Sequence, residues 1–487
     1  MYLLAIDQGT TGTTCLLVNE RQEVVDRSYR EFPQIYPQTG WVEHDPEAIW
    51  ASVLATINDL MQRHPHCELA AIGITNQRET TVVWERHSGR PVYNAIVWQC
   101  RRTEDFCVAL RNAGYSDQFR DKTGLVLDPY FSGTKIRWIL DHTKNHARAQ
   151  SGELAFGTID SFLISRLTNQ RVHATDTTNA SRTLMMNLGS GHWDSWCLDK
   201  LGIPDAILPE IRPCDALFGS TKGVPGLTDG IPIHGVLGDQ HAALFGQACF
   251  TPGEAKCTYG TGAFLLANVG DQPVHSTRGL LATPAWNLGG QTTYALEGST
   301  FIAGAAVQWL RDGLGMIDKA SQIEALAASV PDSGGVMFVP ALAGLGAPHW
   351  RADARGAFFG LTRGTTKAHF ARAVLDGIAL QIVDLLDAIT ADSGVCINRL
   401  RVDGGAAANN LLMQTQSDLL HVPIDRPPML EATGLGAALV AGLGVGFLGS
   451  LERLKTDWNA EKIFYPTKDE SWREIQKRAW EQATERC

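Results

Sequence analysis

Apolar residues fall along this chain in two patterns, short continuous runs and longer segments with helical spacing. The continuous runs predict buried strands at 3–6, 15–18, 70–75, 81–84, 95–98, 231–237 and 400–403. The helical spacing predicts helices at 46–60, 133–167, 304–311, 367–390, 409–420 and 435–448. Proline, glycine and aspartate between 205 and 230 predict a surface connection. Because strands and helices are mixed in both halves, we expect an α/β fold.

The first predicted strand leads into a turn of glycines and threonines. Asp7 stands where the strand ends, and Gly9, Thr10, Thr11 and Gly12 follow. Such a turn presents backbone N–H groups and short hydroxyls, with no bulky side chain to keep a phosphate away. A carboxylate beside it suits Mg²⁺, which takes carboxylate and phosphate oxygens together. Since another strand follows at once, a plain hairpin turn is an equally good interpretation of this stretch alone.

Three further turns of small and acidic residues follow predicted strands, at 238–240, 260–262 and 403–409. Ligands of α/β folds bind at the carboxyl ends of strands. Each turn alone is compatible with a simple tight turn, but four in one chain favour nucleotide binding. The chain contains no Gly-x-x-x-x-Gly-Lys-Ser/Thr motif, so by its sequence it is not a P-loop protein.

Length and charge narrow the class of protein. With 487 residues, two or three domains are expected, and the motifs place a boundary near residue 245, giving domains 1–245 and 246–487. A formal net charge of −10 without a Lys/Arg-rich block argues against nucleic acid and anionic membranes as partners. The ten cysteines form no Cys-x-x-Cys pair, and we find no signal peptide or integral membrane segment. These features predict a cytoplasmic protein with reduced thiols.

Seven separated stretches resemble the FGGY carbohydrate kinase family, and within it the glycerol kinases. They lie at 7–11, 40–46, 75–80, 130–135, 238–240, 259–262 and 403–405. The stretch Asn76-Gln77-Arg78-Glu79-Thr80 is the most discriminating, because sugar kinases of the same family differ there. The resemblance extends over nearly the whole chain.

The resemblance implies two actin/Hsp70/hexokinase-like (ribonuclease H-like) domains with a catalytic cleft between them. It also implies ATP-dependent phosphorylation of glycerol to sn-glycerol 3-phosphate, with Mg²⁺, as the first step of glycerol catabolism. The domain 1–245 would carry the substrate and the first phosphate turn, and 246–487 the nucleotide. The expected partners are glycerol and ATP/ADP. A homo-oligomer, dimer or tetramer, is expected as well, although the residues themselves do not give the oligomeric state.

The family's substrate-binding positions map onto Arg78, Glu79, Trp98, Tyr130, Asp239, Gln240 and Phe264. Their chemistry suits a triol, because carboxylates accept from hydroxyls, an arginine donates to them and aromatic rings cover the carbon chain. Asp239 matches the general base that accepts the proton of the attacking hydroxyl. Without the resemblance, Asp239 is interpreted as a helix N-cap, Arg78 and Glu79 as a surface ion pair, and the aromatic residues as core.

The family's nucleotide-binding positions map onto Thr10, Thr11, Gly12, Thr261, Gly304, Gln308, Gly405 and Asn409. Asp7 matches the residue that helps to hold hydrated Mg²⁺. Glycine at 304 and 405 would let the backbone approach the adenosine closely. Helix packing is the alternative interpretation of Gly304 and Gln308.

The chain departs from the family's pattern in two places. Gly12 and Thr14 stand where glycerol kinases usually carry a serine and an arginine that contact phosphate. Loss of a charge-assisted contact would cost about 1.5–3 kcal/mol unless another group replaces it. The loop 225–230 has neither the arginine nor the histidine that the resemblance links to control by fructose 1,6-bisphosphate and by phosphorylation, so we expect both controls to be absent.

Two other functions stay open at this point. The nearer one is a kinase of another small polyol or ketose in the same family. The farther one is a non-catalytic ATP-binding module whose closure controls a protein partner. A substrate panel separates the three.

Overall fold

The computed structural model describes residues 1–351, 353–428 and 431–487. The strands of the first half are β1 Tyr2–Gln8, β2 Gly12–Val18, β3 Val24–Glu31, β4 Glu43–His44, β5 Leu69–Asn76, β6 Val82–Glu85, β7 Ala95–Ile96, β8 Leu154–Gly157, β9 Ala174–Asp176, β10 Glu210–Arg212, β11 Leu217–Ser220 and β12 Pro232–Gly238. Its helices are α1 Pro46–Arg63, α2 Glu104–Asn112, α3 Ser116–Thr123, α4 Ser132–Thr143, α5 His146–Gln150, α6 Ile159–Leu167, α7 Thr177–Ala180, α8 Ser195–Leu201 and α9 Asp239–Gly246.

The second half is built in the same style. Its strands are β13 Glu254–Tyr259, β14 Ala263–Gly270, β15 Leu281–Leu288, β16 Gln291–Thr300, β17 Met337–Val339, β18 Ala357–Phe359, β19 Arg399–Asp403, β20 Ile424–Arg426 and β21 Lys462–Phe464. Its helices are α10 Gly304–Asp312, α11 Gln322–Ala328, α12 Lys367–Ser393, α13 Asn410–Leu420, α14 Ala432–Gly444, α15 Leu451–Asp457 and α16 Glu470–Thr484.

Each half has one large mixed sheet. The first is six-stranded, in the order β11-β12-β5-β1-β2-β3, and the second is seven-stranded, in the order β15-β16-β14-β13-β19-β20-β21. In the first sheet β5 runs parallel to both β1 and β12, and Asn76 pairs with Gln8 on one side and with Gly238 on the other. The carboxyl ends of three strands therefore meet at one edge, which is where ligands bind in such sheets.

The second sheet repeats this arrangement. Strand β13 is antiparallel to β14, as β1 is to β2, and parallel to β19, with Thr258 opposite Asp403. The turns that follow Tyr259 and Asp403 consequently lie side by side. The predicted hairpin at the start of the chain is confirmed, since β1 and β2 pair from Leu3 and Val18 to Gln8 and Thr13.

Helix α14 comes from the second half but packs on the first sheet, against β1, β5 and β12, and against α9. Glycines allow this close approach. A Cβ on Gly436 would lie 1.9 Å from the carbonyl oxygen of Ala242, and one on Gly73 would lie 2.3 Å from that of Ala437. The division into 1–245 and 246–487 stays a proposal, and the packing of α14 means that the two halves share apolar core.

We expect Gly436→Ala to lower the stability of the whole protein, because no flexible side chain can move aside for the added methyl group. Overpacking of this kind costs roughly 1–3 kcal/mol or more. Urea unfolding measures the loss. Gly189→Ala is the matched control, since Gly189 is exposed and its added Cβ would come no closer than 3.6 Å to another residue. Equal stability of the two variants would contradict the close approach.

Two predictions from the sequence pattern are wrong in detail. The segment 133–167 is not one helix, because strand β8 interrupts it and pairs antiparallel with β6. A short apolar run in a fully buried strand has the same pattern as a buried helical turn, so spacing does not separate them. The segment 205–230 is not only a surface connection, since β11 forms the edge of the first sheet.

The predicted start of α1 agrees with the structure. Asp45 caps α1 by accepting from the backbone N–H of Glu47, and Pro46 is its first residue. All ten cysteines are unpaired. Within the described ranges, no helix combines the length and the apolar character that a membrane crossing requires.

Candidate active site

A small cavity of about 170 Å³ lies at the shared edge of β1, β5 and β12. Its lining residues are Thr10, Arg78, Glu79, Trp98, Tyr130, Asp239, Gln240 and Phe264. They include every predicted substrate-binding position and one predicted phosphate position. The first half supplies seven of these side chains, while Phe264 comes from β14 of the second half. The cavity therefore lies between the two halves.

Three aromatic rings form one wall of this cavity. Trp98 meets Tyr130 and Phe264 edge-on, with centroid distances of 5.7 and 6.4 Å. The indole Nε1 of Trp98 donates a hydrogen bond of 2.9 Å to the hydroxyl of Thr10. Trp98 is therefore not a simple core residue, because it joins the apolar wall of the cavity to the glycine–threonine turn.

Arg78 and Glu79 belong to a buried network of four charges, and the alternative of a surface ion pair is wrong. The guanidinium of Arg78 donates two hydrogen bonds, of 2.5 and 2.9 Å, to the carboxylate of Glu297 in β16. Arg182 donates to Glu79 at 2.7 Å and to Glu297 at 3.2 Å. All four side chains are at most 2% exposed. Two cations and two anions balance each other, which is how buried charges are tolerated.

This network leaves the Nε–H of Arg78 without a hydrogen-bond partner among the described residues. Its Nε lies 3.1 Å from Oδ1 of Asp239 but makes no aligned hydrogen bond there. Glu297 engages both terminal nitrogens, so the Nε–H, which has no hydrogen-bond partner in the described part of the chain, is a donor that a ligand at the cavity can use. Burial raises the pKa of Glu297, yet the charges of Arg182 and Arg78 outweigh it and hold that pKa well below its usual range.

The backbone of Glu79 is in a left-handed conformation, with φ of 59°. A non-glycine residue in that region costs roughly 1–3 kcal/mol, and such strain concentrates at functional sites. The carbonyl oxygen of Glu79 accepts from Ser132 Oγ at 3.0 Å and from Lys135 Nζ at 3.3 Å. Lys135 is fully buried, and burial lowers its pKa to about 8. These contacts hold the unusual turn that places Glu79 in the cavity wall.

Asp239 is the first residue of α9, directly after β12, while Gly238 takes the N-cap position that sequence reasoning assigned to Asp239 as an alternative. Its Oδ1 accepts from the backbone N–H of Gln240 at 2.7 Å. Burial raises the pKa of Asp239 above its ordinary value, against the opposing charges of Arg78 and Lys256. Asp239 thus combines a carboxylate in the cavity wall with an environment that increases its basicity.

The glycine–threonine turn lies beside this cavity and has free donors. The backbone N–H groups of Thr10 and Thr11 donate no hydrogen bond within the described part of the chain. Behind the turn, Gln34 Nε2 donates to the carbonyl of Thr10 at 3.0 Å, and Gln77 Nε2 donates to that of Gly9 at 3.2 Å. The turn is therefore anchored by its carbonyl oxygens, while its N–H groups stay available for an anion.

Asp7 stands at the end of β1 below this turn. Burial, with added repulsion from Asp239 and Glu431, raises the pKa of Asp7 to about 8. A bound cation would favour its ionised form. Among the residues described, no three His, Cys, Asp or Glu side chains are grouped to hold a metal by themselves. A single carboxylate such as Asp7 is the kind of ligand that Mg²⁺ takes together with water and phosphate oxygens.

Gly12 has a structural reason to lack a side chain. A Cβ at this position would lie 2.6 Å from the ring of Tyr29 in β3. Tyr29 is also the register partner of Thr14. The two positions that differ from the family's pattern, Gly12 and Thr14, therefore both adjoin Tyr29. The ring of Tyr29 would have to move before a serine could occupy position 12.

The second half brings its predicted nucleotide positions together around the turn after β13. The carbonyl of Thr261 accepts from the N–H groups of Ala303 and Ala305, and Gly304 N donates to the carbonyl of Gly260. Gly304 begins α10, on which Gln308 is exposed. Gly404 approaches the backbone of Tyr259, so Gly405 follows in the adjacent turn, and Asn409 caps α13 by accepting from Leu412 N.

Sequence reasoning missed three buried charged residues of the site, namely Arg182, Glu297 and Lys256. None lies in a glycine-rich turn, and each meets the site through contacts across more than one element. The one local sign that these side chains are buried is their position within an apolar strand or beside small polar residues. This signal does not reveal the partner, because the partner lies in the other half or in a distant element.

Comparison with known proteins places the chain in a family. Its residues 2–246 match the N-terminal domain, and residues 255–445 the C-terminal domain, of the FGGY family of carbohydrate kinases. The glycerol kinase of Myxococcus xanthus is 56% identical, with 100% of this chain and 99% of that protein covered. The glycerol kinase of Carboxydothermus hydrogenoformans is 53% identical, with 100% and 98% covered.

A solved structure agrees with this match. The crystal structure of Plasmodium falciparum glycerol kinase with ADP has a TM-score of 0.96 and 37% identity, covering 100% of this chain and 98% of that one. The predicted α/β fold of two actin/hexokinase-like domains is confirmed by these matches. Together with the family models over both halves, they show that the chain belongs to the FGGY family of carbohydrate kinases.

Proposed function

We infer that this protein is an ATP-dependent kinase that transfers the γ-phosphoryl group to a terminal hydroxyl of glycerol, giving sn-glycerol 3-phosphate and ADP. One observation carries the inference. A small cavity, walled by aromatic rings on one side and by Arg78, Glu79 and Asp239 on the other, directly adjoins a turn with free backbone donors. The glycerol kinase relatives covering the full chain support the choice of substrate.

The cavity offers a triol both kinds of partner. Arg78 Nε is a donor, and the carboxylates of Glu79 and Asp239 are acceptors, so the cavity wall offers both kinds of partner that hydroxyls need. Trp98, Tyr130 and Phe264 cover the carbon chain, and Gln240 completes the wall. The small volume favours glycerol over longer polyols and ketoses, which stay as alternative substrates.

The phosphates of ATP would occupy the turn of Thr10, Thr11 and Gly12, because its free N–H groups point to no protein acceptor. Bound Mg²⁺ would neutralise phosphate charge, and Asp7 would hold it through water. Thr261, Gly304, Gln308, Gly405 and Asn409 would hold the rest of the nucleotide. Their clustering at the ends of β13 and β19 supports this assignment.

In the proposed reaction the oxygen of the terminal glycerol hydroxyl attacks the γ-phosphorus of ATP, while Asp239 accepts the proton of that hydroxyl. The bond between the γ-phosphorus and the oxygen that bridges it to the β-phosphate breaks, and ADP leaves. Arg78 orients the substrate, and its charge opposes the rise that burial causes in the pKa of Asp239. The turn N–H groups stabilise charge on the transferred group. Nothing in this arrangement requires a phosphorylated enzyme intermediate. Closure of the two halves would keep water, a competing acceptor, out of the cavity.

A coupled assay of ADP release tests the proposal with glycerol, other small polyols and ketoses at equal concentrations. We expect glycerol to have the highest kcat/KM. A higher value for a different polyol would move the protein to the nearer alternative. Tight nucleotide binding without phosphorylation of any acceptor would instead favour the non-catalytic module.

Arg78→Ala should raise the KM for glycerol while leaving the KM for ATP nearly unchanged, because Arg78 faces the cavity and not the second half's turns. A hydrogen bond from a charged group contributes about 1.5–3 kcal/mol, which corresponds to a roughly 10- to 100-fold increase. Steady-state kinetics with each substrate varied in turn gives both constants. Arg21→Ala, at an exposed position, serves as the control. Equal increases in the two constants would contradict the assignment.

Assembly and location stay predictions. Light scattering after size-exclusion chromatography measures whether the chain forms the expected dimer or tetramer. Cell fractionation measures whether it is cytoplasmic.

A further inference from the structure

Lys256 is a fully buried lysine that the reaction described above does not use. It lies in β13, two residues before Thr258, so both side chains point to the same face of the sheet. Thr258 is the direct cross-strand partner of Phe264, which lines the cavity. Because directly opposed residues share a face, the side chain of Lys256 runs along the cavity side of the second sheet.

The ammonium of Lys256 has two neutral partners. Nζ donates to Oε1 of Gln240, and it donates to the hydroxyl of Thr258 at 3.1 Å. The charges of Asp403 and Asp239 act on it at longer range, while burial lowers its pKa. A buried cation without a close carboxylate is costly, so its position calls for a role in the site.

The contact with Gln240 determines which end of the carboxamide faces the cavity. An ammonium can only donate, so it requires the carbonyl oxygen Oε1 and turns the Nε2 amino group away. Gln240 lines the cavity, and Nε2 donates no hydrogen bond to any residue that the structure describes. The free end of the side chain is therefore a donor.

This orientation matters because the cavity is rich in acceptors. Glu79 and Asp239 contribute carboxylate oxygens, and Arg78 Nε is a guanidinium donor without a hydrogen-bond partner among the residues that the structure describes. Each hydroxyl of glycerol brings one proton and two lone pairs. A reversed Gln240 would add one more acceptor to the cavity wall and remove a donor from it.

We propose that Lys256 is a positioning residue, which fixes the Gln240 carboxamide so that Nε2 donates to a hydroxyl of the bound substrate. This inference rests on the proposed function, since it takes glycerol as the ligand. It assigns to the second half a part in acceptor recognition as well as in nucleotide binding.

The test is a double-mutant cycle of Lys256→Met and Gln240→Leu, with the dissociation constant of glycerol measured by calorimetry on the full chain. We expect each single variant to raise this constant about tenfold. If Lys256 acts through Gln240, the double variant should bind glycerol no more weakly than Gln240→Leu alone. If the double variant instead raised the dissociation constant of glycerol about a hundredfold, the product of the two single effects, the proposal would be overturned. Lys256 would then act independently of the Gln240 amide.

Thermal unfolding and the affinity for ADP are measured on every variant, so that a folding defect is recognised. Should Lys256→Met not fold, Gln240→Glu decides the question with Lys256 intact. Its carboxylate keeps the lysine contact but replaces the Nε2 donor with an acceptor, so we expect at least the loss seen for Gln240→Leu. Wild-type affinity in Gln240→Glu would overturn the proposal.

The controls separate this proposal from the proposed function. A wild-type protein that binds no glycerol and phosphorylates none would refute both. A wild-type protein that phosphorylates glycerol, with independent effects in the cycle, refutes only the role of Lys256. Thr258→Val removes the other partner of Lys256 and keeps the Gln240 contact, so glycerol affinity should change by less than about threefold.

Discussion

Replacement of Asp239 by asparagine is expected to lower kcat for glycerol phosphorylation by a factor of about 10²–10⁴. General-base catalysis contributes this much when the base is positioned at the reacting proton. Asparagine keeps the size of the side chain and an oxygen that can accept from Gln240 N, but it cannot take up the hydroxyl proton. The loss should therefore appear in turnover, measured by coupled ADP release at saturating glycerol and ATP.

Nucleotide affinity and thermal stability of Asp239→Asn should stay close to those of the wild type. Asp229→Asn is a matched control, because Asp229 belongs to the exposed loop 225–230 and lies outside the cavity. Its carboxylate pairs with Lys222. If Asp239→Asn kept most of its kcat, Asp239 would not be the base, and the proton would have to leave to solvent or to phosphate.

The second large effect is expected for Glu297→Gln, which removes one charge from the buried network. Arg182 would then keep Glu79 as its partner. Arg78 would keep Asp239 at 3.1 Å and the more distant Glu79. Breaking a buried ion pair by neutralising one partner costs about 3–5 kcal/mol, because the other charge stays buried without compensation. We expect a loss of this size in the free energy of unfolding, measured by urea denaturation, together with a raised KM for glycerol.

A compensating change sharpens this test. Arg182→Gln in the Glu297→Gln background restores the balance of charge, since one arginine and one glutamate remain, and should recover part of the stability. Glu20→Gln, at an exposed position, controls for removal of a surface carboxylate. If Glu297→Gln were no less stable than Glu20→Gln, the four charges would not act as one network.

The network also explains how substrate recognition depends on both halves. Arg78 follows β5 of the first sheet, and Glu297 lies in β16 of the second. The two terminal nitrogens of Arg78 are bound by Glu297, so the direction of its free Nε depends on the relative position of the halves. The orientation of Arg78 at the cavity therefore depends on a contact that joins the two halves.

The sequence by itself determined the features that depend on local chemistry. Glycine and threonine predicted the turn after β1, and aspartate predicted the end of β12. Asparagine predicted the start of α13. The structure confirms all three. The seven stretches that carry the resemblance were specific enough to identify the family, and the substrate positions mapped through it line the cavity. Such features are set by the conformational preferences of a few adjacent residues.

The tertiary structure alone decided how these pieces meet. Arg182 and Glu297 are 115 residues apart in the chain, and Lys256 of β13 meets Gln240 of α9. A buried charge looks the same in sequence as an exposed one, because burial depends on which strands and helices cover it. Strand β8 likewise needed its partner β6 to be distinguished from a helix. Glu297 and Lys256 determine which atoms of Arg78 and Gln240 face the cavity. A side chain with several donors or acceptors is oriented by the residue that binds one of them.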